Sequence, residues 1–199
     1  MGVNFAKYAG LGISPVSSVP YALELISQYS LSTTTLVVYV LFILIQILLL
    51  RKDFQIFQLL QLPVTFAFSY FILFTDRAHL LFWLPEPGNY AVQLLYVAIA
   101  IILSGVGVFL YLQPDLIPMP PEGLVQAIVQ ASGGRFDFGQ TKVMLDSTLG
   151  VLGAVTSLIF LGSLGAVREG TILCALGIGR VAGALAQSYQ AKIAKRESA

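Results

Sequence analysis

The chain has 199 residues, of which 57% are hydrophobic and only 11% charged, against roughly 25% charged in soluble globular domains. A soluble domain of this length cannot hide so much apolar surface, so lipid is its expected surroundings. The formal net charge of +1 gives no basic excess for nucleic acid, and one cysteine (Cys174) and one histidine (His79) rule out an intrachain disulfide and a cysteine- or histidine-built metal site.

Residues 1–13 contain Asn4 and Lys7 and lack the basic start and apolar core of a signal peptide. Ala6 stands where a myristoylation signal needs Ser or Thr. A semi-apolar segment, 15–29, follows. Ser14 precedes Pro15, which pushes it out of helical geometry, so Ser14 is expected to cap a helix with Pro15 at its first position. With Ser17 and Ser18 nearby, that helix start is either a plain cap or, if pointed into the membrane, an anion site.

Five runs are long and apolar enough to cross about 30 Å of hydrocarbon as helices: residues 33–50, 54–75, 90–113, 143–167 and 170–191. Backbone amides in lipid must be satisfied internally, which makes each run a helix despite its β-branched content. The first three runs are uncharged. The second holds Gln55, Gln58 and Gln61, and Gln58 and Gln61 share a face by spacing; with Gln46 they form either an inter-helix hydrogen-bond set or a polar cavity lining. The fourth run carries Asp146 and the fifth Arg180. Both fall toward the cytoplasmic third of their helices, so they can pair, either as a static packing bridge or as a substrate counter-charge or proton-coupled site; otherwise Asp146 reaches interfacial water. Ala175, Gly179 and Gly183 form a small-residue stripe on the last helix, suited to close helix packing or dimerisation.

The connections differ in character. Arg51-Lys52-Asp53 is a tight charged turn; 76–89 carries His79, expected to be solvated or interfacial, and Trp83, an expected interfacial anchor. Residues 114–142 form the longest link, and 192–199 a short basic tail expected to be disordered. Alternate connections receive seven Lys/Arg on one side (Arg51, Lys52, Arg135, Lys142, Lys192, Lys195, Arg196) and three on the other (Lys7, Arg77, Arg168). The positive-inside rule puts the first side and the C-terminus in the cytoplasm, with dual topology as a minor alternative.

The chain also matches itself. Gly2-Val3 aligns with Gly105-Val106, and Ile13-Ser14-Pro15 with Leu116-Ile117-Pro118. The segments 15–29 and 118–132 each begin at proline and carry one acid (Glu24, Glu122). Each leads through a small-polar cluster into two spanning helices. On this alignment residues 1–13 are the end of a transmembrane helix, either a short tilted one or the remainder of a longer product. The expectation is an all-α polytopic bundle in one domain, 1–199. It would consist of two three-helix inverted repeats (about 1–75 and 90–191), the first helix truncated. The proline-led segments would enter from opposite faces, interfacial or shallowly re-entrant.

The run Gly10-Leu11-Gly12-Ile13-Ser14-Pro15, the semi-apolar helix after it, and the Ser/Thr cluster before a long apolar helix resemble the YczE/YyaS/YitT-like family of bacterial membrane proteins. Arg168-Glu169-Gly170-Thr171 at the start of the last helix is the second point of likeness. Val16-Ser17 departs from that pattern, where relatives often carry an aromatic and an acid, and so does the short first helix. The resemblance implies a bacterial inner-membrane protein with no assigned reaction, and it carries over no catalytic residue.

No nucleophile–base constellation, P-loop, zinc pattern or dinucleotide fingerprint occurs, so neither an enzyme nor a cofactor is expected. Two functions stand: a small-solute permease with its site at the repeat interface, or a non-transporting accessory protein that holds membrane partners. A homo-oligomer is compatible with both.

Overall fold

A computed structural model describes residues 1–76, 81, 83–112, 117–133 and 135–197. Its elements are α1 (Gly2–Ala9), α2 (Pro15–Ser27), α3 (Leu31–Leu50), α4 (Gln61–Phe74), α5 (Tyr90–Leu112), α6 (Pro120–Ala131), α7 (Phe138–Leu161) and α8 (Glu169–Glu197). Two 3-10 turns, Arg51–Asp53 and Ile56–Leu60, link α3 to α4. No strand occurs among the described residues.

Five helical stretches are long and apolar enough to cross a membrane: Leu31–Asp53, Ile56–Phe74, Tyr90–Tyr111, Phe138–Leu161 and Glu169–Tyr189. Their outer faces expose Leu48, Phe66, Phe71, Ile102, Ile159, Phe160 and Ile172. A soluble monomer rarely shows so continuous an apolar surface, and the fold fits a membrane protein. Trp83 is exposed beside the start of α5, as an interfacial anchor should be.

The helices start where the local chemistry provides caps. The Ser30 hydroxyl accepts the Thr33 N–H at 3.3 Å to open α3, and the Asp137 carboxylate accepts from Gly139 and Gln140 to open α7. Pro15 and Pro120 stand at the first positions of α2 and α6. Several boundaries depart from the sequence reading: α4 opens at Gln61, after a 3-10 turn, rather than at 54, and α7 ends at Leu161 rather than at 167. The second half-helix opens at Pro120, not Pro118, because Met119 holds the extended cap conformation. α7 begins at Phe138, taking Lys142 into the helix rather than leaving it in the connection. The basic tail continues α8 through Glu197 instead of being disordered. Arg77, His79 and Leu116 lie outside the described residues.

α1 is antiparallel to α5. Gly10 sits beside Gln93, Phe5 packs edge-on against Tyr96, and Gly2 abuts Ala100 and Ser104. Eight residues of helix reach only roughly 12 Å, so α1 covers about a third of α5. One apolar core gathers Phe5, Ala9, Leu11, Ile13, Tyr96, Val97 and Cys174 around α1, α5 and α8; another gathers Val38, Tyr39, Phe42, Leu124 and Leu149 around α3, α6 and α7. α8 closes on α5 through Gly177 against Ile101 and Gly105 against Val181.

The two short helices pack crosswise: α2 lies on α7, and α6 lies on α3. Each proline-led helix thus packs most on the long helix that follows the other one. α2 enters beside the interior of α7, with Pro15 next to Gly150 and Ser18 against Gly153, and ends with Leu25 near Gly165 at the end of α7. It therefore runs alongside the second half of α7.

Candidate functional site

The two crossings have matching geometry. The fourth residue of α2, Ser18, meets Gly153; the fourth residue of α6, Gly123, meets Gln46. Gly153 and Gln46 are each the sixteenth residue of their long helix. In the first crossing the half-helix brings the side chain and the long helix the glycine. In the second the roles are exchanged.

At the first crossing, Ser14 occupies the cap position of α2, but its side chain bonds no backbone N–H. Its hydroxyl donates to Ser17 Oγ at 3.1 Å, and the Ser18 hydroxyl donates to the Ser14 carbonyl at 3.2 Å. The expected side-chain cap is therefore replaced by a closed serine set at the helix start. Ser17 and Ser18 are buried and Ser14 and Pro15 half-buried.

At the second crossing, Gln46 of α3 and Gln61 of α4 exchange amide hydrogen bonds: Gln46 Nε2 donates to Gln61 Oε1 at 3.2 Å and Gln61 Nε2 to Gln46 Oε1 at 3.0 Å. Gln46 Nε2 also reaches the Pro120 carbonyl at 3.2 Å. Both amides are fully buried, so each side chain satisfies what the other would lose by leaving water. A methyl group at Gly123 would stand 2.7 Å from both amides, so only glycine lets α6 come this close. Gln58 lies in the 3-10 turn before α4 and does not join the pair; its Oε1 is buried without a protein partner. Below Gln61 on the same face of α4 follow Thr65 and Ser69, both buried with hydroxyls that bond no group among the described residues, while the Ser69 carbonyl accepts from Ser32.

The expected Asp146–Arg180 pair is not formed. α7 packs on α2 and α6, and α8 on α5, so the two side chains face different neighbours. Asp146 instead pairs with Lys142 one turn earlier, at 2.9 Å, and Lys142 reaches Glu122 of α6 at 3.3 Å. The Tyr111 hydroxyl interacts with Glu122. Arg180 is exposed and has no ion pair or hydrogen bond among the described residues. The Ala175–Gly179–Gly183 stripe does not pack within the chain either: a methyl at Gly179 or Gly183 would meet nothing within 4 Å. Gly177, two residues from Ala175 and Gly179 and so roughly 200° round the helix from the stripe, makes the contact with α5 instead.

A second charged cluster escaped the sequence reading. Lys7 of α1 bonds Glu24 of α2 at 2.7 Å and Asp76 after α4 at 3.5 Å. Burial opposes the charge on Lys7, but the hydrogen bonds and charges of Glu24 and Asp76 outweigh it and raise the lysine above its ordinary range. One turn away, Asn4 donates to the Ile72 carbonyl and to Thr75 Oγ1, tying α1 to the end of α4. Nothing in the one-dimensional pattern joins Lys7 to residues seventeen and sixty-nine positions away. By contrast, the four-residue spacing of Lys142 and Asp146 was a readable signal.

The two runs that carry the family resemblance touch. The Gly170 N–H donates to the Leu11 carbonyl at 2.8 Å, and Arg168 Nη1 donates to the Gly10 carbonyl at 3.1 Å. Gly12, at φ +87°, lies against Thr171 and the Arg168 backbone, a conformation and a clearance that require glycine. Residues 1–187 match the profile of a family described as a family of unknown function, DUF6198. The chain belongs to the DUF6198 family. No curated protein and no solved structure matches it. In this DUF6198 member the match spans α1 to α7, the first part of α8 and both crossings, and it leaves the YczE/YyaS/YitT-like likeness as a resemblance.

An open cavity of about 580 Å³ at the α7–α8 connection is lined by Ser163, Leu164, Gly165, Val167, Arg168 and Glu169. It includes none of Ser14, Asp146 and Arg180.

Proposed function

We propose that this chain is a small-solute permease of the bacterial inner membrane, built from two inverted repeats, with its solute path between the two half-helices. The observation that carries the reading is the pair of matched crossings, Ser18 on Gly153 and Gly123 on Gln46, at the same position of each long helix. Half-helices entering a bundle from opposite faces at a repeat interface are the usual means by which transporters build a site inside the bilayer. The buried polar groups near the crossings (Gln46, Gln61, Thr65, Ser69, Ser17, Ser18) support it, since polar side chains are costly at that depth without a function or a partner. The Lys/Arg asymmetry supports a cytoplasmic C-terminus. The proposed activity is not enzymatic and uses no cofactor.

The test is solute uptake into proteoliposomes across small anionic, cationic and neutral classes. Flux above empty liposomes in one class, reduced by Asp146→Asn, is the expected result. Flux equal to empty liposomes in every class would overturn the reading. One observation favours the accessory alternative: the Gln46–Gln61 amides are spent on each other, as in a static structural bridge.

A further inference from the structure

Arg180 stands eleven residues after Glu169 and nine before Tyr189 in the last span, roughly 14 Å from the nearer end at 1.5 Å per residue. It is exposed on the outer face of α8, beside Gly179, where nothing among the described residues covers the helix. A guanidinium facing lipid at that depth is costly on any scale. The end of α8 that lies closer to Arg180 is the end at which α7 begins. Asp146 lies eight residues after Phe138, roughly 12 Å from that same side.

The charges match as well as the depths. Glu122 and Asp146 share one lysine, Lys142, which leaves the cluster with one formal negative charge in excess. All three side chains keep part of their surface open, at 21–28%, and the exposed Val143 and Met144 border them on α7. Pairing α8 with α8 would set two Arg180 side chains against each other.

We propose that the α8 face of Ala175, Gly179, Arg180 and Gly183 docks on α7 of a second copy of this chain, with Arg180 paired to the Asp146–Glu122 cluster. The arrangement is two-fold: each copy gives one α8 and receives one on its α7. The glycines let the helix backbones approach closely, and the ion pair formed in lipid is a charge-assisted one.

The experiment is photobleaching step counting of labelled full-length protein in lipid vesicles over a range of dilution. Wild type, Arg180→Leu, Asp146→Asn and the double variant are compared. Wild type should be dimeric, and each single variant should raise the dimer dissociation constant on the order of tenfold or more. The double variant should be no worse than the weaker single one, because both remove the same contact. At a dilution where both proteins are monomeric, thermal melting of Arg180→Leu should match wild type, since position 180 then faces lipid. A wild type that is monomeric at all densities would overturn the proposal, pointing to a snorkelling arginine or to another protein as the occupant. So would an Arg180→Leu dimer as tight as wild type, or additive effects in the double variant.

Discussion

Ser18 and Gly153 touch so closely that a methyl group at Gly153 would stand 2.6 Å from the Ser18 Cβ and 2.8 Å from its carbonyl carbon. This contact sets the depth at which α2 enters the bundle. Gly153→Ala should cost about 1–3 kcal/mol, as overpacked cores do, seen as a lower melting temperature in detergent. Adding Ser18→Gly should recover only part of the loss, because the Ser18 backbone remains. Full tolerance of Gly153→Ala would mean that α2 sits less deeply than described.

The Gln46–Gln61 exchange predicts a different signature. Gln61→Leu strands the buried Gln46 Oε1 and should cost about 1–3 kcal/mol. The double change to leucine at both positions should cost less than the sum of the singles. Denaturant or thermal titrations of the four proteins decide it; strictly additive losses would show that the amides act independently.

At the other end of the bundle, Lys7 holds Glu24 and Asp76. Its pKa is raised on folding, so its contribution is fully present below the unfolded lysine value of about 10.4 and is lost only as pH rises through the higher folded value. The stability gap between wild type and Lys7→Met should be constant from neutral pH to about 10. It should narrow only in more alkaline solution. A gap that closes between pH 6 and 9 would contradict this.

Lys142 serves two carboxylates, whereas Asp146 serves one lysine. Lys142→Met should therefore destabilise more than Asp146→Asn, by roughly 1–3 kcal/mol, because it leaves two uncompensated charges. Thermal melts of the two variants, at a dilution where the protein is monomeric, give the order directly, and the reverse order would show that Asp146 has a further partner within the chain.

The spans were legible because lipid forces long apolar runs, and α3 and α5 fall within two residues of the runs read from sequence. The start of α7 was missed because Lys142 looks like a loop residue. Inside the helix its charge is neutralised by Asp146 and Glu122, which hydropathy cannot see. Depth could be counted along each helix, which sets Asp146 and Arg180 at similar distances from the side where α7 begins. The face each presents depends on which helices are neighbours, and α7 and α8, though consecutive, pack on different partners. Gln46 and Gln61 flank the same turn and were near neighbours by sequence. Their joint hold on Pro120 was not readable, because it depends on α6 returning between α3 and α7.

The central claim, that the half-helices enter from opposite faces, is tested most directly by sided labelling of single cysteines in intact cells, in a Cys174→Ala background. Tyr29, just after α2, and Arg135, just after α6, are both exposed. A membrane-impermeant thiol reagent applied outside should label Tyr29→Cys and spare Arg135→Cys until the membrane is opened. Labelling of both positions from the same side in a uniformly oriented protein would contradict the account.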